Sequence, residues 1–209
     1  MSFLFSPPAL ADLIRLLRAW RFWLLTALLG ALGGAAIYAL FPPPYRAQAT
    51  VNVDFNLEQA WPQESDREQF YYLERETRKL EEIAWSDTVL QAVAAADGQV
   101  TLPELRAGKL RLSQPGEAGW HFYAQDADPK RAAQLAAAWA QAFVDAARQN
   151  LADQAGLNAW IRLEATQLTG LPRRRSVSQS AFLLAGVLSG WFVGALAVLF
   201  FGAGRPATK

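Results

Sequence analysis

Few residues in this chain of 209 are of a type and spacing that could do chemistry. There is no cysteine and only one histidine. Disulfides, thiolate metal sites and cysteine nucleophiles are therefore out, and so is a multi-histidine zinc site. His121 has no nearby acid and nucleophile to complete a triad, and it reads as a surface or packing residue. Glu74, Glu76, Glu81 and Glu82 run among Arg75, Arg78 and Lys79. Such mixed charge at helical spacing is expected to be a solvated face, not a catalytic carboxylate cluster. No set of acid, base and nucleophile can be assembled, so no enzyme activity, cofactor or metal ion is expected. Twenty Lys and Arg against nineteen Asp and Glu leave a net charge of +1, without the basic surplus that marks a nucleic-acid partner.

Two groups with physical consequence remain. Gly186, Gly190 and Gly194 form a G-x-x-x-G-x-x-x-G stripe, with Gly30 and Gly34 as a weaker counterpart. Small residues four apart let helix backbones approach in lipid, so these five are expected to pack helices, and between copies an oligomer. Arg173, Arg174 and Arg175 are consecutive. They could contact an anionic glycan or lipid headgroups, or anchor a helix end by snorkelling.

The elements that must carry these residues start with two apolar blocks. Residues 22–41 hold no charge, and 20 residues of helix span about 30 Å, one bilayer core. Residues 181–202 are likewise uncharged. Pro42, Pro43 and Pro44 stop the first helix sharply. Ala47-Gln48-Ala49 offers an A-x-A exit, but the apolar run is too long for a cleaved signal peptide. Arg15, Arg18 and Arg21 precede the first block, and Arg205 and Lys209 follow the second. The positive-inside rule then places both termini in the cytoplasm and residues 42–180 outside, in the periplasm or beyond the cell surface. This loop carries 15 basic and 18 acidic residues, a formal charge of −3, and its length exempts Arg173–Arg175 from the charge count. Residues 1–21 read as a cytoplasmic amphipathic segment, with Leu10, Leu13, Ile14, Leu17 and Trp20 at helical spacing, and residues 203–209 as a short cytoplasmic tail.

Residues 42–180 read as one α+β domain. Ala47, Ala49, Val51, Val53 and Phe55 alternate with Arg46, Gln48, Thr50, Asn52 and Asp54, which predicts a strand with one buried face. After a polar loop holding Trp61-Pro62, a helix is expected from about Asp66, its stripe Phe70, Leu73, Thr77 and Leu80. Ser86 caps a short helix through Val89, Leu90 and Val93 that stops at Asp97-Gly98, and residues 101–105 make one more turn. Two strands follow, Lys109 to Ser113 and Gly119 to Gln125, joined across Gln114-Pro115-Gly116, with Trp120, Phe122 and Ala124 on one face and His121 and Tyr123 on the other. Asp128-Pro129 opens a long helix with Leu135, Trp139, Ala142, Phe143 and Ala146 inward. Its alanine-rich run is expected to continue towards Leu168, with a break near Gly156. The predicted order is strand, helix, strand, strand, long helix, between two transmembrane helices.

This ordered set resembles the bacterial polysaccharide chain-length determinants, the Wzz-like polysaccharide co-polymerases. The resemblance rests on a first span ending in Pro43-Pro44-Tyr45 that runs straight into an alternating strand. It also rests on Ile83-Ala84-Trp85-Ser86-Asp87-Thr88-Val89-Leu90, on Leu102-Pro103-Glu104-Leu105, and on the strand pair before Asp126-Ala127-Asp128-Pro129. Two features depart from the family pattern: Pro172 stands alone where a proline-rich stretch is usual, and the domain is short. The resemblance implies a homo-oligomeric, non-enzymatic scaffold in the bacterial plasma (inner) membrane, partnered by a polysaccharide polymerase or export machinery. It would regulate chain length, polymerisation or export of a surface polysaccharide, such as lipopolysaccharide or exopolysaccharide. Two alternatives stay open. One is a membrane adaptor or activator of a separate bacterial tyrosine kinase in capsule or exopolysaccharide synthesis; residues 203–209 hold no phosphate-binding loop of a fused kinase. The other is an extracytoplasmic ligand sensor, for which both cytoplasmic ends look too short to hold an output.

Overall fold

The computed structural model describes residues 18–60, 66–113, 119–153 and 156–202. The amphipathic stretch through Leu17, the Trp61-Pro62 loop, the Gln114-Pro115-Gly116 turn and the tail 203–209 lie outside the described residues. The chain divides into two compact units, Pro44–Ser176 and the segments that flank it in sequence, Met1–Pro43 with Val177–Lys209.

In the flanking unit, helix α1 spans Trp20–Leu40 and helix α7 spans Gln179–Gly202. Both are long and apolar enough to cross a membrane. They pack on each other through small residues and seal the seam with aromatic pairs. Trp23 meets Trp191 edge-on at 5.1 Å between ring centroids, and Tyr38 meets Phe182 at 5.4 Å. Most of their other apolar side chains point away from the seam. Leu24, Leu28, Leu32, Leu184, Leu188 and Phe192 are each more than half exposed.

Pro44–Ser176 is a mixed α+β unit. Strand β1 (Tyr45–Asp54) begins where the proline run ends, and its alternation sets the core: Ala47, Ala49 and Val51 are fully buried. Beyond it come a single turn α2 (Leu57–Ala60), helix α3 (Asp66–Ala84) and helix α4 (Asp87–Asp97). Ser86 caps α4, its Oγ accepting from the Val89 amide, and Gly98 closes it at φ 72°, a left-handed position that suits glycine. The turn α5 (Leu102–Glu104) carries a capping box, the Thr101 amide donating to the Glu104 carboxylate at 3.0 Å. Strands β2 (Leu110–Leu112) and β3 (Trp120–Asp126) follow, then helix α6 (Pro129–Ala152), capped by Asp128.

Two elements depart from expectation. The alanine-rich run does not continue as helix to Leu168. Helix α6 ends at Ala152, residues 162–167 form strand β4 (Arg162–Gln167), and Arg173–Arg175 form strand β5. Composition favoured helix there, but β1 has a second edge whose amides and carbonyls need partners, and tertiary pairing overrides propensity. The sheet order is β2-β3-β1-β4, all pairs antiparallel, with β5 also on β1. β5 pairs with residues 45–47 of β1 and β4 with residues 50–54, so the two share one edge end to end. The second correction concerns α3. Phe70 is exposed, and the fully buried stripe is Tyr72, Glu76, Leu80 and Ala84, displaced round the helix from the one expected.

Helices cover one face of the sheet. Trp139 and Phe143 of α6 lie over β1 and β3, and the small Ala47 and Ala49 leave room for them. The Trp139 ring meets Phe122 edge-on at 4.9 Å, Phe143 stacks on Trp120 at 5.7 Å, and the Trp139 indole N–H donates to the Ala84 carbonyl at 2.9 Å. Val89, Leu90 and Val93 of α4 join the same core. The opposite sheet face carries Arg46, Gln48, Thr50, His121 and Tyr123, all part-exposed.

Candidate functional site

The two sheet faces follow from alternation, since a strand sends neighbouring side chains to opposite sides. Residues paired across strands share a face. Arg46 therefore stands between Gln125 of β3 and Arg174 of β5, and Gln48 stands beside Tyr123. At this corner a cleft of about 390 Å³ is lined by Arg46, Gln48, Tyr123, Arg174, Arg175 and Ser176. The Arg46 guanidinium lies 3.8 Å from the centroid of the Tyr123 ring, and that of Arg175 lies 4.2 Å from the Tyr45 ring. Cation–π contact holds both guanidinium planes in place. Arg46 and Arg174 make no ion pair among the described residues.

His121 sits further along the same face. Its Nδ1 is 3.0 Å from Gln48 Nε2 and 3.1 Å from Thr50 Oγ1, and its backbone N–H donates to Ser113 Oγ. An amide and a hydroxyl are its neighbours, an arrangement that fixes the ring and ties β1 to β3. Among the described residues no group of three His, Cys, Asp or Glu could hold a metal ion.

The three consecutive arginines are not brought together. Arg174 faces the cleft, while Arg173 pairs with Ala47 and borders a shallow groove beside Lys130 and Gln134 of α6. Arg175 pairs with Tyr45 and closes the rim of the cleft. In their place the fold assembles Arg46, Arg174 and Arg175 with Tyr123. Arg46 and Tyr123 had one signal in the sequence: both occupy polar-face positions of alternating strands.

The glycines are brought together, and within one chain. A Cβ on Gly30 would strike the Gly186 carbonyl, one on Gly34 the Phe182 carbonyl, one on Gly186 the Gly30 carbonyl and one on Gly190 the Thr26 carbonyl. Gly194 faces the Thr26 side chain, whose hydroxyl also donates to the Trp23 carbonyl. The stripe of α7 is thus occupied by α1 of the same chain.

Two charged clusters hold the domain itself. Glu76, expected on a solvated face, is fully buried. It accepts from Arg75 Nε at 3.0 Å, Lys79 Nζ at 2.8 Å and the Asn158 amide at 3.1 Å, and so fastens the loop that follows α6 to α3. The rest of the run stays outward: Glu74 pairs with Arg78 on the helix surface. At the start of α6, Arg131 donates to both oxygens of Asp97, at 2.8 and 2.6 Å. That hydrogen bonding holds the Asp97 carboxyl below the usual carboxylate range, against the opposing effect of desolvation. Burial pushes Asp126 upward, but the Asp128 amide at 3.0 Å and the Lys109 ammonium at 3.1 Å outweigh it, and its net displacement is downward.

The fold and the site define a class: one α+β domain, helices on one sheet face and a cationic cleft on the other, carried between two helices of membrane-spanning length. No protein-family model matches the chain, and no curated protein matches it.

Proposed function

We propose that the chain is a non-enzymatic membrane scaffold that regulates chain length, polymerisation or export of a surface polysaccharide. Both termini lie in the bacterial cytoplasm and the α+β domain lies outside the plasma membrane. Copies assemble beside a polysaccharide polymerase or exporter and act as a platform, with no reactive side chain required. The observation that carries this reading is architectural. Strand β1 starts at Tyr45, five positions after α1 ends at Leu40, and β5 ends at Arg175, four positions before α7 begins at Gln179. A single domain on two short tethers is the arrangement that the resemblance to chain-length determinants implies. The outward leucines and Phe192 of the helix pair support the membrane setting, because so much contiguous apolar surface is untenable in water. Assembly between copies falls to other surfaces than the glycine stripe, which the chain fills for itself.

Deletion of the gene tests the reading. The expected result is an altered length distribution of a surface or exported polysaccharide, with sugar synthesis intact. An unchanged glycan profile where the gene is expressed would sink it. Topology has its own check: a reporter fused after Lys209 should be active only if it works in the cytoplasm.

A further inference from the structure

We infer that the cleft at the sheet corner binds the phosphate of an anionic lipid headgroup. The strongest observation is the direct pairing of Arg46 with Arg174 across β1 and β5. Like charges opposite one another on one sheet face are destabilising, and among the described residues no ion pair relieves either of them. No carboxylate lines the cleft, and Gln48 and Ser176 add polar groups to its wall. Elsewhere in the domain the fold does neutralise part-buried cations, as Arg131 with Asp97 and Lys109 with Asp126. A phosphate oxygen seated between the two guanidinium groups would convert the repulsion into charge-assisted hydrogen bonds, with Arg46 already oriented by Tyr123.

The lipid is favoured over a soluble anion or a glycan by position in the sequence. Arg46 comes six residues after the last residue of α1, and Arg174 five before the first of α7. A fully extended tether of that length reaches at most about 20 Å, so neither arginine can stray far from an apolar helix end. This rests on the membrane reading above. A net-anionic headgroup such as phosphatidylglycerol fits better than phosphatidylcholine, whose own ammonium would meet the arginines.

The test uses the full chain, reconstituted into phosphatidylcholine vesicles that contain a minority of phosphatidylglycerol. Lipid that stays with the protein on extraction into a neutral detergent is quantified by mass spectrometry. The expected result is enrichment of phosphatidylglycerol over its vesicle fraction, unaffected by added inorganic phosphate or polyglucuronate. Enrichment should fall at least tenfold in the Arg46→Gln/Arg174→Gln variant and persist in Arg162→Gln, an exposed arginine of β4, with circular dichroism unchanged in both. Equal enrichment in the double variant overturns the proposal. Displacement by inorganic phosphate overturns it in favour of a free-anion site, and displacement by polyglucuronate in favour of a glycan site. A chain that enters the vesicles but retains no phosphatidylglycerol overturns this proposal alone, whereas one that fails to enter overturns the membrane reading with it.

Discussion

The two apolar helices and the α+β domain both need close packing, and they reach it with opposite residues. Between α1 and α7 the contact is made where side chains are missing, at Gly30, Gly34, Gly186 and Gly190. Between α6 and the sheet it is made by the largest side chains in the chain, Trp139, Phe143, Trp120 and Phe122, all fully buried. With the helix pair in a membrane, as proposed, the difference follows from the solvent. A domain in water gains by hiding large apolar surface, at roughly 25 cal/mol per Å². Two helices in hydrocarbon gain nothing from hiding leucine, and must gain by bringing backbones into van der Waals contact. Bulk therefore stabilises one region and disrupts the other.

The largest effect should come from removing bulk in the domain. Trp139→Ala deletes a fully buried indole and its hydrogen bond to Ala84, and is expected to cost about 3–5 kcal/mol. Denaturant unfolding of the full chain in neutral detergent, followed by circular dichroism, measures it. A loss below 1 kcal/mol, on the order of a surface substitution, would break the contrast. The reverse change belongs in the helix pair. Gly186→Leu drives a side chain at the Gly30 carbonyl and should cost about 1–3 kcal/mol of helix contact. Because the chain has no cysteine, the Thr26→Cys/Gly194→Cys pair reports on that contact cleanly. A Cβ on Gly194 falls 3.1 Å from Thr26 Cβ, so oxidation should give an intramolecular crosslink, and adding Gly186→Leu should cut its yield severalfold. A crosslink found only between copies would show that the stripe joins separate chains.

A further effect concerns charge and depends on pH. Asp97 and Asp126 both titrate below the usual carboxylate range in the folded chain. The stability they contribute is complete above the unfolded value of about 4, and is lost as pH falls through their folded values. Asp97→Asn should cost about 2 kcal/mol at neutral pH, since Asp97 is only 6% exposed and accepts two bonds from Arg131. Below the folded pKa the variant and the parent chain should converge. A constant offset from neutral to strongly acid pH would show that the substituted amide disturbs packing and not charge.

Where a pattern was long and its partner adjacent, the sequence was legible. The ten-residue alternation of β1 named its buried face, and the Ser86 and Asp128 caps placed the starts of α4 and α6. The end of the domain was less open to reading. Ile161, Leu163 and Ala165 alternate with Arg162, Glu164 and Thr166, but in company that also suits a helix, and six residues are too few to decide. Glu76 was hidden for a different reason. A carboxylate between Arg75 and Arg78 looks solvated until the loop amide of Asn158, 82 positions away, is folded onto it.

By itself the sequence determined the two apolar helices, the small residues on them, the first strand with its inward face, and the chemistry left out by the lack of cysteine. These depend on composition, or on periods shorter than one element. The tertiary structure alone decided that residues 162–167 and 173–175 are strands, that the glycines of α7 meet those of α1, and that Arg46 stands opposite Arg174. Each of these is a pairing between distant segments. Backbone groups on the open edge of β1 accept whichever strand the fold delivers, and no local propensity records which one that is.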